Sequence, residues 1–373
     1  MAVYRFITII IAYIILSGSA DACTSAVISG RVTANGRPLL WKHRDTSRSD
    51  NKVERIAATD STFEYVALFN AGDSGCREAW VGYNSRGFAV MNTAVYNLKD
   101  DTVSVMDREG LLMSEALKHC TTVDDFEDLL QRLPKPLGVE ANFGVIDACG
   151  NGAYFETGNY GYTKFDLDDD ADGVMVRTNY AHSGREGEGM GYEREKNAIC
   201  QLSSHAAAGN ISAELLTEVL SKRFYSSRRG KDISFSEETV VTNQEFIPRY
   251  TSTATVVIEG VVNGESPLLT TMWVGLGYPP CAEIRAVWID ENEVPSELRG
   301  TGARGHAPLC DAALDRKRNV FLKEKRADLA KLYNRSGTGY CQILAPLNRE
   351  AYRKGYEAIA RKRKLLHDGN TVH

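Results

Sequence analysis

Near the start of the chain, hydrophobic and polar residues alternate in short runs. Turn sequences separate these runs, and this pattern is typical of antiparallel strands. Residues 24–30 form the first such run, with Ala26 and Ile28 on one face. Residues 34–38 contain an Asn-Gly pair, which supplies the positive φ angles of a tight hairpin. Residues 39–43 are therefore predicted to return beside the first strand, carrying Arg44 and Asp45 back toward Cys23.

The same pattern predicts further strands along the chain. They cover residues 64–70, 80–83, 88–92, 143–147, 153–156, 174–178, 252–262, 268–275 and 286–289. Turn sequences at 84–87 and 150–152 join two neighbouring pairs into hairpins. Asn92 and Asn179 each come at the end of a predicted strand, where side chains from different strands can converge.

Helical spacing appears in two regions. Residues 108–119 and 123–133 read as a helix pair; Thr122 is the expected N-cap, Asp125 lies near N3, and Pro134 stops the second helix. The glycine-rich stretch 183–191 follows no strand of the dinucleotide-binding kind, so it is interpreted as a mobile loop at the rim of a pocket. It leads through Tyr192 and Arg194 into another helical segment.

From residue 311 onward the chain is predicted to be helical and basic. Apolar residues fall at helical spacing at Tyr352, Tyr356, Ile359 and Leu366. The basic residues lie largely off that stripe, which is typical of a solvated amphipathic helix packed on the domain. Contact with a membrane surface or a partner is the alternative.

This order of elements favours an α+β fold in which helices pack on antiparallel sheets. No internal repeat and no Pro- or Ser-rich linker divides the 373 residues, so one domain is expected. The net charge of -5 argues against a general nucleic-acid binder. The sequence does not indicate an oligomeric state.

The first 22 residues resemble an export signal. Arg5 precedes an apolar run over residues 6–16, and Ala20-Asp21-Ala22 fits the small-x-small cleavage rule. The run is shorter than the roughly 18–20 residues that span a bilayer as a helix, so removal of residues 1–22 is expected. The mature domain would be residues 23–373, exported to the periplasm or beyond. A lipoprotein signal that ends in a lipidated Cys23 is the alternative, although Ala20 and the charged Asp21 depart from its usual pattern.

The eight cysteines are scattered, with no CxxC pair and no clustered histidines, so neither a metal site nor a cofactor is predicted. Setting Cys23 aside leaves seven, an odd number, and no disulfide pairing can be assigned. Most of them fit equally well as small buried hydrophobic residues.

Cleavage after Ala22 would place a thiol and a free α-amine on one residue, Cys23. A thiol ordinarily titrates near about 8.5 and an α-amine near about 7.7–8.0, so the amine can accept the thiol proton directly or through water. Attack on an amide carbonyl then creates negative charge that needs donors. Asn92 and Asn179 are candidates for these donors.

Charged residues near the hairpin supply the remaining candidates. Asp45 can hold the amine in place. Arg194, or the pair Lys42 and Arg44, can orient that carboxylate or bind an acidic substrate group. Each of these residues also fits an ordinary role in a turn or cap.

The opening of the mature chain resembles N-terminal nucleophile (Ntn) hydrolases, in the branch of acyl-CoA:6-aminopenicillanate acyltransferases, which is related to choloylglycine hydrolase and penicillin V acylase. The matching stretches are Cys23-Thr24-Ser25-Ala26-Val27, the run from Asn35 to Asp45, 82–93, 141–143, 177–180, 250–253 and 270–273. They occur in the family's order and span most of the mature chain.

This resemblance implies a four-layer αββα sandwich with Cys23 as nucleophile, Asp45 beside it, and an oxyanion site at Asn92 and Asn179. Arg194 resembles the arginine that the family places after the second asparagine, and Tyr180 follows that asparagine in a supporting position. At the position of the Arg-Asn-x-Asp motif of choloylglycine hydrolases, this chain has Lys42-His43-Arg44-Asp45. Either Lys42 or Arg44 can fill the arginine's place, which leaves bile-salt specificity open.

The expected function is an exported, bacterial cysteine amidase that hydrolyses a linear C-N bond of an N-acyl amide or acyl-amino acid through a Cys23 thioester. Acyl transfer to an amine, or dipeptide cleavage, is the enzymatic alternative. A ligand-binding lipoprotein without catalysis is the alternative of another class.

Overall fold

The computed structural model describes residues 22–236, 239–242, 245–291, 293–302 and 305–369. The predicted signal segment therefore lies outside the described residues except for Ala22. The strands are β1 Thr24–Ile28, β2 Leu39–Asp45, β3 Asn51–Ile56, β4 Tyr65–Asn70, β5 Val81–Asn84, β6 Ala89–Ala94, β7 Ala141–Ile146, β8 Gly152–Thr157, β9 Tyr162–Asp166, β10 Val174–Arg177, β11 Tyr225–Ser226, β12 Lys231–Asp232, β13 Val240–Val241, β14 Ser252–Glu259, β15 Thr271–Leu276, β16 Ile284–Val287 and β17 Ala327–Asp328.

The α-helices are α1 Glu109–His119, α2 Val123–Arg132, α3 Tyr192–Ala207, α4 Pro308–Val320 and α5 Tyr340–Gly369. A π-helical segment covers Leu215–Leu220. Short 3-10 turns cover Gly30–Val32, Leu167–Asp169, Pro267–Leu269, Pro279–Cys281, Ser296–Leu298, Lys323–Lys325 and Leu329–Lys331.

Two antiparallel sheets form the centre of the fold. The first has six strands in the order β10-β1-β2-β14-β15-β16. The second is a meander in chain order from β3 to β9. The predicted pairing of β1 with β2 is confirmed, with Thr24 opposite His43 and Ile28 opposite Leu39. The predicted tight turn is not, because residues 29–38 connect the strands through the 3-10 turn Gly30–Val32, and of the Asn35-Gly36 pair only Gly36 has a positive φ angle, 75°.

The inner faces of the two sheets enclose one core. The first sheet contributes Val27, Leu40, Val256, Ile258, Met272 and Val274, and the second contributes Val66, Leu68, Tyr83, Met91, Ile146 and Tyr154. Burial of each side chain of this size contributes about 1.5–3 kcal/mol relative to exposure. This contribution holds the sheets face to face.

Helices cover both outer faces. Helices α1 and α2 pack on the second sheet, with Leu117 of α1 and Phe126 of α2 in the shared cluster. The capping box predicted at Thr122 and Asp125 is present. The first sheet is covered by α3, the π-helical segment and α5. The predicted α+β class and four-layer αββα sandwich are therefore confirmed.

Helix α5 packs its aromatic stripe on the first sheet, as the helical spacing predicted. Trp273 of β15 lies 4.5 Å from the Tyr352 ring and 5.1 Å from the Tyr356 ring. A Cβ atom at Gly355 would lie 2.3 Å from Trp273, so a glycine is needed for this close approach. On the outer side, Arg363 pairs with Glu265 at 2.8 Å and thus part of the basic surface is neutralised within the domain.

The C-terminal segment differs from the prediction of a helical region from about 311 onward. Between α4 and α5 the chain is irregular, because Ala327 and Asp328 leave the helix to pair with β13. Glu324 and Lys325 have φ angles of 61° and 58°, which an α-helix does not allow. The sequence does not predict strands β3 and β9 or the two-residue strands β11, β12, β13 and β17, and β16 begins two residues earlier than expected.

All eight cysteines lie among the described residues and all are free thiols. The five buried ones, Cys23 among them, are consistent with a packing role for most of these side chains. Within the described ranges, no helix is long and apolar enough to cross a membrane.

Candidate active site

The β1–β2 hairpin brings Cys23 and Asp45 together. Cys23 directly precedes β1, and Asp45 is the last residue of β2. The Ala22 amide donates to the Asp45 carbonyl at 3.0 Å, and the Cys23 Sγ lies 3.9 Å from the same oxygen. Cys23 is 6% exposed and Asp45 is fully buried. The pairing of β1 with β2 thus brings the backbone of Asp45, a residue with a buried carboxylate, against the residue that would begin the mature chain.

Two residues of the neighbouring strand region hold the Asp45 carboxylate. Arg249 Nε donates to Asp45 Oδ2 at 2.8 Å, and the Ser252 hydroxyl donates to Oδ1 at 2.6 Å. Arg249 also donates through NH2 to the Ala22 carbonyl at 2.7 Å. Because Ala22 and Cys23 are joined by this peptide bond, Arg249 links the bond that would be cleaved to the buried carboxylate.

His43 supports this arrangement from inside the sheet. Its Nε2 lies 2.8 Å from the Ser252 Oγ and 3.6 Å from Asp45 Oδ1. Burial lowers the pKa of His43 to about 4, and the positive charges of Arg249 and Arg194 act in the same direction. His43 is therefore neutral at physiological pH.

Lys42 crosses from the first sheet to the second and orients Asn92. Its Nζ donates to Asn92 Oδ1 at 2.7 Å and to the Trp80 carbonyl at 2.8 Å. An ammonium has donors only, so the Asn92 oxygen must face it and the Asn92 amide NH2 points elsewhere. Since Asn92 and Cys23 line the same cavity, this amide is suited to donate to a bound carbonyl.

Arg194 ties Asn179 to the start of β1. Its NH1 donates to the Cys23 carbonyl at 2.5 Å and to Thr24 Oγ1 at 3.0 Å, while NH2 donates to Asn179 Oδ1 at 2.5 Å. Asn179 Nδ2 donates in turn to the Ala94 carbonyl at 2.8 Å. Burial lowers the pKa of Arg194 to about 9, so the guanidinium still carries its charge at neutral pH.

The two other residues proposed to support the site have separate contacts. Arg44 donates to Asn51 and, at 2.9 Å, to Asn70, and it stacks on the Trp80 ring at 5.1 Å. Tyr180 stacks on Tyr192 at 4.0 Å, in a position outside the wall of the cavity at Cys23.

A cavity of about 540 Å³ opens beside Cys23. Its wall includes Asp45, Lys42 and Asn92, and extends to Trp80, Tyr96, Met106, Lys99, Glu78, Asp107, Glu109 and Glu140. Burial raises the pKa of Glu109 to about 7. Asp107 has a φ angle of 65°, an uncommon conformation of the kind that clusters at functional sites.

The arrangement is suited to nucleophilic chemistry. It places a thiol, a buried carboxylate and an amide donor around one cavity, the elements that acyl transfer through a thioester requires. Among the residues that the structure describes, no group of three or more His, Cys, Asp or Glu side chains could hold a metal ion.

The prediction that Arg194 or the pair Lys42 and Arg44 orients Asp45 needs correction, because that role belongs to Arg249 and Ser252. Lys42 instead donates to Asn92, and Arg194 donates to the Cys23 carbonyl. Sequence reasoning missed Arg249, which lies 204 residues from Asp45 in the chain. Its position just before 250–253, one of the stretches that resemble the family, is the signal in the sequence that could have found it.

Solved structures that resemble this chain include the following three. A variant of conjugated bile acid hydrolase from Clostridium perfringens is 11% identical, with a TM-score of 0.45, and the likeness covers 72% of this chain and 93% of that one. Penicillin V acylase from Agrobacterium tumefaciens is 12% identical, with a TM-score of 0.44 and coverages of 72% and 86%. The Caenorhabditis elegans ortholog of N-acylethanolamine-hydrolyzing acid amidase is 14% identical, with a TM-score of 0.43 and coverages of 63% and 92%.

No protein-family model matches the chain, and no curated protein matches it.

Proposed function

We propose that this protein is an exported cysteine amidase of the Ntn-hydrolase type, in which Cys23 cleaves a linear amide through a thioester. The observation that supports this most is the meeting of Cys23, the fully buried Asp45 and the Asn92 amide at one cavity of about 540 Å³. Such a reaction needs a thiol, the α-amino group of the same residue, a carboxylate that can hold this amine, and an amide donor.

Cleavage between Ala22 and Cys23 is the step that would create the catalyst. It releases the α-amine of Cys23 and frees the NH2 group of Arg249 from the Ala22 carbonyl. The same arginine binds the Asp45 carboxylate through Nε, so the new amine and this carboxylate would share Arg249 as a neighbour. Signal peptidase can perform this step during export, which places the mature enzyme in the periplasm or outside the cell.

Acylation would then proceed without a histidine base. The Cys23 α-amine takes the thiol proton, and the thiolate attacks the carbonyl carbon of the substrate amide. The oxygen gains negative charge, and the Asn92 amide NH2 donates a hydrogen bond to it. Collapse of this intermediate breaks the C-N bond, and the departing amine takes the proton from the Cys23 ammonium.

Deacylation reverses the roles. The amine, neutral again, takes a proton from water as the water oxygen attacks the thioester carbonyl. The C-S bond breaks, the carboxylic acid leaves, and the proton returns to the Cys23 sulfur. Arg194, which binds the Cys23 carbonyl and Asn179, keeps the backbone of the nucleophile in place through both halves.

The cavity wall favours polar substrates. Nine of its nineteen residues are charged: Lys42, Arg44, Asp45, Arg48, Glu78, Lys99, Asp107, Glu109 and Glu140. Enclosing a long alkyl chain here would remove water from these groups without replacing its hydrogen bonds. This favours short acyl-amino acids, and it supports dipeptide cleavage as a second candidate function.

The test begins with the N-terminus. The secreted protein is purified, its N-terminal peptide is identified by mass spectrometry, and hydrolysis of a panel of N-acyl amino acids, bile-salt conjugates, penicillin V and dipeptides is measured. We expect an unmodified Cys23 at the N-terminus and hydrolysis of at least one amide. Cys23→Ala is expected to abolish hydrolysis while the thermal unfolding transition is retained. Cys149→Ala, which removes an exposed thiol, is the control and should retain hydrolysis.

Two results would contradict the proposal. A lipid-modified Cys23 would point to the lipoprotein alternative, because its amine or thiol would be blocked. An active Cys23→Ala variant would exclude the thioester. Addition of an amine acceptor distinguishes acyl transfer from hydrolysis by the product formed.

A further inference from the structure

We propose that Ser252 is a positioning residue for this reaction, whose hydroxyl fixes the Asp45 carboxylate for the Cys23 α-amine while His43 fixes the hydroxyl. This inference rests on the proposed function, since it concerns the group that would hold the catalytic amine. Ser252 does not touch the reacting atoms and acts through Asp45.

A β-bulge brings Ser252 to this position. Strand β14 pairs with β2 in regular register from Ala254 to Glu259, but the register shifts between Ser252 and Ala254, so that Ser252 lies opposite Asp45. Bulges next to active sites re-aim a side chain in this way. Here the bulge turns the Ser252 hydroxyl onto the carboxylate at 2.6 Å.

The direction of each hydrogen bond follows from the number of protons available. The Ser252 hydroxyl has one proton, and an ionised carboxylate can only accept, so this proton lies toward Asp45 Oδ1. The Ser252 oxygen then accepts from the Arg249 backbone amide at 3.0 Å and from His43 Nε2 at 2.8 Å. His43 must therefore carry its proton on Nε2.

The state of His43 agrees with this assignment. Among the described residues its Nδ1 has no hydrogen-bond partner, as expected for the unprotonated nitrogen of a neutral ring. Burial lowers its pKa to about 4, which keeps the ring neutral while it donates to Ser252. The relay runs from His43 to Ser252 to Asp45.

The result is a carboxylate held at both oxygens. Ser252 binds Oδ1 and Arg249 binds Oδ2, each from β14 or the residues just before it. The other charged groups that act on Asp45 from packed elements are Arg194 of α3 and Lys317 of α4. With both oxygens fixed, the carboxylate keeps one orientation.

The experiment compares variants that differ in one hydroxyl. Ser252→Thr keeps the hydroxyl, and Ser252→Val introduces a side chain with the shape of threonine but without the hydroxyl. Ser252→Ala removes the hydroxyl without adding volume. Thr255→Val is the matched control, because Thr255 is a buried hydroxyl of the same strand that bonds to Ser221 and Trp41.

Two readouts are taken on the mature protein. The first is kcat and KM with the substrate that the panel identifies. The second needs no substrate: it is the rate at which iodoacetamide alkylates Cys23, followed from pH 5 to 9 by mass spectrometry of the N-terminal peptide. A merely structural role for Ser252 would change stability and leave the Cys23 alkylation profile in place.

We expect Ser252→Ala and Ser252→Val to lower kcat by about 10- to 100-fold with KM within about threefold, since a hydrogen bond to a charged group is lost. Ser252→Thr and Thr255→Val should stay within about threefold of wild type in kcat. The alkylation rate of Cys23 near neutral pH should fall in the Val variant and be restored in the Thr variant.

Equal kcat values and superimposable alkylation profiles for the Thr and Val variants would overturn the proposal. If wild type hydrolyses nothing, the amidase proposal fails and the alkylation profiles alone decide the positioning role. If the Ser252 variants show no cooperative unfolding transition, His43→Gln, which keeps a donor, and His43→Leu, which does not, provide the same comparison.

Discussion

Replacing Arg249 by methionine tests the contact on which the geometry of the site depends most. Asp45 is fully buried, the Arg249 side chain is 11% exposed, and Nε lies 2.8 Å from Oδ2. Removing one partner of a buried ion pair leaves an uncompensated charge, which typically costs about 3–5 kcal/mol. The Ser252 bond survives the change, so we expect a loss of about 3 kcal/mol in the free energy of unfolding.

The assay is urea denaturation at pH 7 of wild type, Arg249→Met, Asp45→Asn and the double variant. The double variant removes both charges, so its loss should be smaller than the sum of the two single losses by about 2–3 kcal/mol. Arg185→Met is the matched control, because Arg185 pairs with Glu188 at the same 2.8 Å but on the surface. It should cost less than about 1 kcal/mol.

Additive losses in this cycle would refute the reasoning, because they would mean that Arg249 and Asp45 stabilise the protein independently. Arg249→Met is also expected to lower kcat, because the carboxylate that holds the amine loses its orientation. A variant that keeps full activity would remove Arg249 from the site.

Three further predictions follow from single contacts. Asn92→Ala should lower kcat by about 100- to 1,000-fold, as loss of an oxyanion donor does, and a decrease below about tenfold would exclude that role. The pKa of His43 falls from 6.5 to about 4 on folding, so stability should fall by about 3 kcal/mol as the pH drops from 6.5 to 4, at about 1.4 kcal/mol per pH unit. His43→Gln should flatten that dependence in denaturation curves, and an unchanged slope would contradict the assignment. Thr122→Ala should cost about 1 kcal/mol through loss of the α2 cap, measured as a lower thermal midpoint, whereas an unchanged midpoint would show that the cap does not matter.

The local parts of the fold were predictable from the sequence because each has its own signal. The apolar alternation of residues 24–30 and 39–43 predicts the paired strands that bring Asp45 to Cys23, although the connection over 29–38 is longer than the predicted Asn-Gly turn. Thr122 with Asp125 specifies where α2 begins. Strand β3 was missed because Asn51–Ile56 carries Lys52, Glu54 and Arg55, and a charged edge strand lacks the apolar alternation that marks a half-buried one.

The site was predictable only in part, for a physical reason. Cys23 and Asp45 lie at the same end of two strands that are consecutive in the chain, so local pairing of β1 with β2 places them together. Arg249 and Ser252 reach Asp45 because β14 pairs with β2 across about 200 residues and because a bulge shifts the register. Neither the strand pairing nor the bulge can be read from the local sequence, so the sequence predicts Arg194, or the pair Lys42 and Arg44, for this role instead of Arg249.

The central claim is that Cys23 carries the acyl group, and trapping that intermediate tests it most directly. The mature protein is mixed with a substrate that it hydrolyses, and the reaction is quenched in acid within seconds. The mass of the N-terminal peptide is then measured by mass spectrometry. We predict that the Cys23 peptide gains the mass of the acyl group and loses it on treatment with hydroxylamine, as a thioester does. An enzyme that turns over while its Cys23 peptide never carries the acyl mass, together with an active Cys23→Ala variant, would contradict the account.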